Sequence, residues 1–292
     1  MTQSSSLSMY EVLSMGQMFE NLKAKLTQPL PAGIFKFCAA SETVGYVSKD
    51  VAMKMATISS EFRLEDDRLI ISDEALATEQ TRTVAMRKAA ALLHQLGIVK
   101  NPASELVDVK AGPLDPVFCQ APRELTRVLG LMTTSVRVTG YDQEGRIVLG
   151  KRLQSKAIGG GLWDSLTAGL VKASEEPKQA LFRELFEEAG LVADDVELTE
   201  GAHFVQELVV PEGFLREQVL TFDAQIKPGL TPKNYDGQVT EFKSFTPEEL
   251  VRAAEADEMM YAAGIASIES LCRRADRRID DRWLRYRGQI WI

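Results

Sequence analysis

Cysteine and histidine are scarce in this chain. The three cysteines, Cys38, Cys119 and Cys272, are far apart and odd in number, with no C-x-x-C pair to suggest zinc or redox chemistry. They are expected to be reduced, packed thiols. The two histidines, His94 and His203, are separated by over a hundred residues, which argues against a histidine metal cluster and for structural roles. No uncharged apolar stretch approaches membrane-spanning length, and the N-terminus has no basic start followed by an apolar run. A cytoplasmic protein without membrane contact is expected. Cations are also outnumbered: 34 Lys and Arg stand against 42 Asp and Glu, for a net charge of −8 and a pI near 5.1. General affinity for nucleic-acid backbone is therefore not expected, and a phosphorylated substrate would need local cations and a metal.

What is present is a chain of 292 residues, long enough for one large domain or two ordinary ones, with ordinary globular composition of 45% hydrophobic and 26% charged residues. Its most informative stretch is 169–191, GLVKASEEPKQALFRELFEEAGL. Pro177 suits the first turn of a helix, where its missing N–H removes no bond, and Gly190 suits the position that ends one. At about 100° per residue, Leu181, Phe182, Leu185, Phe186 and Ala189 fall on one side of that helix. Glu184, Glu187 and Glu188 fall together on the other. Three like charges within a turn repel, at a few tenths of a kcal/mol per pair. A cation would relieve them, and hard oxygen ligands on a rigid helix suit Mg²⁺ or Mn²⁺. A solvated surface helix is the alternative for glutamates alone, but Gly169, Glu175, Arg183 and Gly190 accompany them.

Along the chain, residues 8–28 read as a helix ending at Pro29 and Pro31. EFRLEDDRLIIS reads as a hairpin turning at Asp66 and Asp67, and Ala77 to Leu96 as a helix closed by Gly97. Residues 101–122, with Pro102, Gly112, Pro113, Pro116 and Pro122, read as a connecting stretch, with a domain boundary near 120. A short helix over Arg123–Leu131 precedes TTSVRVTGY and RIVLGKRL, an antiparallel hairpin around Asp142–Gly145. QSKAIGGGLWDSLTAGLV is a glycine-rich loop and short strand, in which Trp163 either borders a pocket or packs in the core. HFVQELVV, REQVLTFDAQI and VTEFKSF complete a mixed sheet. Glu248–Ala256 and Tyr261–Arg274 read as helices. The tail from Arg273 mixes seven arginines with two tryptophans and acids, which fits packing or a dimer contact.

The 169–191 stretch spells G-x5-E-x7-R-E-L-x-E-E-x-G-L, and on these residues the chain resembles a Nudix hydrolase. The resemblance implies an α/β (α+β) fold: a mixed β-sheet between helices over 121–292, with an N-terminal α/β extension over 1–120. It implies hydrolysis of a diphosphate linked to another moiety, with a bound divalent metal. Glu184, Glu187 and Glu188 would be metal ligands, with Glu184 also cast as base. Gly169 would approach the metal through its carbonyl, Arg183 would orient the carboxylates, and Glu175 and Gly190 would shape the motif. A further glutamate from a later loop is expected, and Glu241 is the candidate.

The run from Leu125 to Val171, with Arg152, Lys156, Trp163 and Asp164, resembles the Nudix branch related to the C-terminal part of fungal thiamine pyrophosphokinase. That resemblance implies substrate contacts from these four residues and thiamine diphosphates, especially damaged forms, as substrates giving the monophosphate. Arg152 and Lys156 are candidate phosphate contacts. Gly160 stands where a proline is usual, and Gln238 and Thr240 where glutamates are. Two other readings share the fold. An isopentenyl diphosphate isomerase would carry a cysteine at the strand entering the motif, where this chain has Thr167 and Ala168. A ligand sensor would not need all the acids. A homodimer fits the resemblance as well as a monomer.

Overall fold

The computed structural model describes residues 9–156 and 158–275. The chain starts with α1 (Met9–Leu26), followed by β1 (Ile34–Ala39), β2 (Glu42–Ser48), α2 (Lys49–Ile58), β3 (Phe62–Glu65) and β4 (Arg68–Ile71). These strands form a four-stranded sheet in the order β2-β1-β4-β3. The β3–β4 turn is the expected one, and Asp66 takes a left-handed φ of 53° there. After the short α3 (Asp73–Leu76), α4 (Glu79–Gln95) is started by Thr78, whose hydroxyl accepts the Thr81 N–H at 3.1 Å. Gly97, at φ 71°, ends it as expected. Phe37, Val47 and Leu69 of the sheet pack with Met55, Met86 and Leu93 of the helices.

The expected connecting stretch at 101–122 instead holds two strands, β5 (Leu106–Lys110) and β6 (Val117–Pro122), paired antiparallel. Of the residues that suggested a linker, Gly112, Pro113 and Pro116 sit in the loop between them, while Pro102 precedes β5 and Pro122 ends β6. Val109, Cys119 and Ala121 pack into the upstream core, whose cluster runs from Phe37 to Leu131. At the same time Lys110 pairs with Met132 of the next sheet.

After α5 (Arg123–Val128) come β7 (Met132–Tyr141), β8 (Ile147–Arg152), β9 (Trp163–Asp164), β10 (Thr167–Leu170), α6 (Pro177–Ala189), β11 (Val196–Val210), β12 (Gly213–Ile226), β13 (Val239–Phe245), α7 (Pro247–Glu255) and α8 (Tyr261–Ala275). With β5 and β6 these strands make a nine-stranded mixed sheet. β7 and β12 are parallel, and β10 joins the other side of β7 antiparallel, with Gly169 opposite Val136. Alternation gives the sheet two apolar faces. Val136, Val138, Leu220 and Phe222 pack with Leu181 and Leu185 of α6. Tyr141, Phe204, Val219 and Phe245 pack with Phe19 and Leu22 of α1 and Ile265 and Ile268 of α8. The result is the expected sheet between helices.

All three cysteines are buried and unpaired, and burial pushes the Cys119 thiol up to about 12. His94 Nδ1 lies 2.9 Å from the Val99 carbonyl and fastens the end of α4. No described helix is long and apolar enough to cross a membrane. The tail beyond Ala275, expected to pack or contact a partner, lies outside the described residues.

Candidate active site

Helix α6 has Pro177 in its first turn and Gly190 in the left-handed region at φ 66° as its C-terminal stop. A β-carbon at Gly190 would lie 2.7 Å from the Lys233 carbonyl oxygen, so only glycine fits. Leu181, Leu185 and Ala189 are buried as expected, but the two faces are turned from their expected limits. Phe186 is 51% exposed and stacks on Tyr235, ring centroids 5.6 Å apart. Glu188, expected on an open carboxylate face, is only 8% exposed. The entering strand draws it in: Glu188 Oε2 accepts from Thr167 Oγ1 at 2.9 Å and from the Ala168 N–H at 3.0 Å.

Arg183 joins the motif together. Its Nε and Nη2 donate to the two Glu175 oxygens at 2.9 and 2.8 Å, Nη2 also donates to the Leu170 carbonyl at 3.1 Å, and Nη1 donates to Glu184 Oε1 at 2.5 Å. Glu187, with its side chain 43% exposed, meets Nη1 only at 3.5 Å. Glu175 also accepts the Lys172 N–H at 2.9 Å. A β-carbon on Gly169 would lie 2.0 Å from Glu184 Cδ, so this glycine makes room for that carboxylate. Burial would raise the Glu175 carboxyl, but Arg183 outweighs it and holds Glu175 below the usual range. Burial raises Glu184, against Arg183. It pushes Glu188 up to about 7, with the Glu184 charge adding and the Ala168 N–H and Lys156 opposing.

Lys156 Nζ is 3.8 Å from Glu188 Oε1, so it stands beside the acids. Burial, then Arg152, lowers the Lys156 ammonium. Arg152 Nη1 donates to Asp164 Oδ2 at 2.7 Å and Nη2 to the Ile158 carbonyl at 3.1 Å. Arg137, a buried residue of β7, takes the other oxygen of Asp164 and also reaches Ser165 Oγ at 3.1 Å. Asp164 is 6% exposed with both oxygens engaged. Its charge serves two arginines of the protein, which corrects the expectation of a direct substrate contact. Trp163 is packed in the core, edge-on to Phe245 at 5.0 Å, and Lys151 lies over its ring. Of its two open readings, core packing is the observed one.

A NUDIX domain family model matches residues 132–263. The chain is also 30% identical over 154 residues to the uncharacterized Nudix hydrolase orf19 of Rhodococcus erythropolis, covering 51% of this chain and 82% of that one. The chain belongs to the Nudix hydrolase family. Similarity to the chloroplastic Nudix hydrolase 20 of Arabidopsis thaliana is 26% identity over 219 residues, 71% of this chain, and it spans 59% of that relative's length. The crystal structure of DR0079 from Deinococcus radiodurans is 22% identical, covering 59% of this chain and 100% of that one, with a TM-score of 0.46.

The Nudix residues expected from the motif fall into one connected group, Gly169, Glu175, Arg183, Glu184, Glu187 and Glu188, with Lys156 beside it. Glu241 is not brought to that group. It is exposed on β13, opposite Lys151 and on the same side as Phe245, while Phe242 turns toward the α6 face. A register shift between Val239 and Glu241 sets which face each residue takes, because one extra residue reverses the alternation. The loop before β13 reaches α6 instead. The Tyr235 and Asp236 N–H groups donate to the Glu187 carbonyl at 3.2 and 3.1 Å, and Lys233 N–H donates to Ala189 at 2.8 Å. Gly160, where a proline is usual, has no room for a β-carbon, which would lie 2.3 Å from the Gln154 carbonyl oxygen.

Among the described residues no three acidic, histidine or cysteine side chains stand in ligating geometry. Glu184 and Glu188 are turned toward protein donors. The expected donors, three carboxylates and the Gly169 carbonyl, are all hard oxygens and fit a divalent cation of the kind Nudix hydrolases use. A separate cleft of about 270 Å³, lined by Asp142, Arg146, Ile226, Leu230 and Phe242, lies beside the β7–β8 turn and includes none of the motif residues. Sequence reasoning missed Arg137, for which the alternating polar residues on β7, Ser135, Arg137 and Thr139, were the available signal.

Proposed function

We propose that this chain is a metal-dependent hydrolase that cleaves a diphosphate linkage in a small organic or nucleoside diphosphate derivative. The observation that carries this reading is Arg183, bonded at once to Glu175, Glu184 and the Leu170 carbonyl, with Glu187 and Glu188 on the same turn. Mg²⁺ or Mn²⁺ would be held by Glu184, Glu187 and Glu188 with the Gly169 carbonyl, and would offset phosphate charge and lower the pKa of bound water. Arg183 orients Glu184, the carboxylate best placed to take a proton from attacking water. Lys156 presents an ammonium beside Glu188 for a phosphate oxygen. Arg152 contributes positive potential from its place on Asp164.

Within that class, thiamine diphosphate and its damaged forms are supported by the likeness of the Leu125–Val171 run to the thiamine pyrophosphokinase-related branch. Nucleotide sugars and nucleoside triphosphates are the competing substrates, and a ligand sensor the competing role. The reading places the protein in the cytoplasm, acting on small molecules and not on nucleic acid or membrane, as a monomer or homodimer. An extension over 1–120 and a hydrolase domain over 121–292 are supported by the confinement of the four-stranded sheet to residues 34–71, although β5 and β6 pair into the second sheet.

The test is turnover of thiamine diphosphate, oxothiamine diphosphate, ADP-ribose and nucleoside triphosphates with Mg²⁺, with Glu187→Gln alongside. Wild-type turnover of one class, reduced about 100-fold or more in the variant with its fold intact, is expected. Near-normal turnover in the variant would remove Glu187 from the site, and no turnover of any substrate by wild type would favour the sensor.

A further inference from the structure

The loop that opens the Nudix motif carries a conformation its own residues do not favour. Ser174 has φ 63°, in the left-handed region that costs a non-glycine residue free energy. Hairpin β5–β6, upstream of the matched domain at 132–263, holds it there. The Ser174 N–H donates to Asp108 Oδ2 at 3.0 Å, and Ser174 Oγ accepts from Gln120 Nε2 at 3.1 Å. Ala173 N–H donates to the Leu106 carbonyl at 2.8 Å, Val107 forms a β-bridge with Lys172, and Lys172 Nζ lies 2.8 Å from Glu105. The same loop reaches inward. Lys172 N–H donates to Glu175, Glu175 pairs with Arg183, and Arg183 holds Glu184.

We propose that hairpin β5–β6 is a positioning element of the metal centre, with Asp108 and Gln120 as its positioning residues. By holding Ser174 left-handed they fix Glu175, and through it the Arg183–Glu184 pair. Neither touches substrate or metal. The proposal rests on the reading of α6 as the metal-binding helix, and it gives the upstream region a part in the site that the motif does not encode. Outer partners of metal ligands commonly govern affinity by tenfold or more.

The experiment uses the full chain without substrate and follows Mn²⁺ binding by the electron paramagnetic resonance of free Mn²⁺, with thermal unfolding in parallel. Asp108→Ala is expected to bind Mn²⁺ about tenfold more weakly. Asp108→Asn, which keeps an acceptor and loses the charge, is expected within about twofold of wild type, separating positioning from long-range attraction. Ser174→Gly added to Asp108→Ala is expected to recover most of the affinity, because glycine adopts this backbone without strain. Wild-type affinity in Asp108→Ala, or failure of the glycine to rescue it, overturns the proposal. If Asp108→Ala does not fold, Gln120→Ala carries the test, with about threefold weaker binding expected and unchanged binding overturning it. Wild type that binds Mn²⁺ but hydrolyses nothing defeats the hydrolase reading and leaves these differences to decide the positioning role. Wild type that binds no Mn²⁺ overturns both.

Discussion

Asp164→Asn is the substitution with the largest expected effect on stability. The Asp164 carboxylate is 6% exposed and stands between Arg137 and Arg152, with Arg152 Nη1 at 2.7 Å and the Ser165 N–H at 2.8 Å. The Nε atoms of both arginines are buried without a hydrogen-bond partner, so little else offsets their charge. Asparagine keeps the shape and removes the charge, leaving two confined guanidiniums uncompensated. Breaking a buried ion pair from one side costs about 3–5 kcal/mol. For 292 residues unfolding together, at about 2.1 cal/mol/K per residue, that is a fall in Tm of about 5–8 °C. Circular dichroism melting at neutral pH measures it, and a fall under about 2 °C would refute the argument. Replacing Arg137, Asp164 and Arg152 together by Met, Leu and Met is expected to cost less than Asp164→Asn alone, because no charge is left stranded. Acid supplies a second check. Burial would raise the Asp164 carboxyl, but Arg137 and Arg152 outweigh it and hold it below the usual range. Its contribution is therefore complete above the ordinary value of about 3.9 and is lost only as pH falls through the lower folded value. The gap between wild type and variant should persist down to about pH 4 and narrow below it.

Gly169→Ala places a β-carbon 2.0 Å from Glu184 Cδ and must expel that carboxylate from Arg183; metal-dependent turnover should fall about 100-fold, with a stability loss of about 1–3 kcal/mol by urea titration. Glu241→Ala should stay within about twofold of wild-type turnover, since Glu241 lies exposed opposite Lys151; a loss like that of Glu187→Gln would place it in the centre after all.

Where structure is governed by neighbours along the chain, it was legible. Pro177 and Gly190 bounded α6, Asp66 marked a hairpin, and the turn near Gly145 joined β7 to β8. The strands β5 and β6 were not legible, because they are short, separated by prolines and completed by a non-local pairing at Met132. Helical periodicity grouped the residues of α6 but could not set how the helix is rolled on the sheet. That roll follows from the donors Thr167 and Ala168, which bring Glu188 inward, and from Tyr235, which covers Phe186. Trp163 stayed open between pocket and core and Asp164 was a substrate contact by resemblance, because the tertiary partners that place them, Phe245 and Arg137, lie 82 and 27 positions away.

The four acids of the motif also differ in how far the protein has already compensated them, and this orders their roles. Glu175 is paired through both oxygens with Arg183, so its charge is committed to holding the loop. Glu184 shares that arginine and sits against Gly169, which makes it the acid most sensitive to loop position. Glu188 has neutral donors and a lysine at 3.8 Å, enough to orient it but not to bring it to an ordinary carboxylate range. Glu187 meets Arg183 only at 3.5 Å and is 43% exposed, so it pays least in broken contacts when a cation arrives. On the reading of these acids as ligands, Glu187 would give up the weakest protein contact to hold a divalent ion, and Glu184 and Glu188 would give up stronger ones. That difference is why Glu187→Gln tests the centre with the least disturbance to the fold, whereas substitutions at Glu175 or Arg183 would alter loop and metal together.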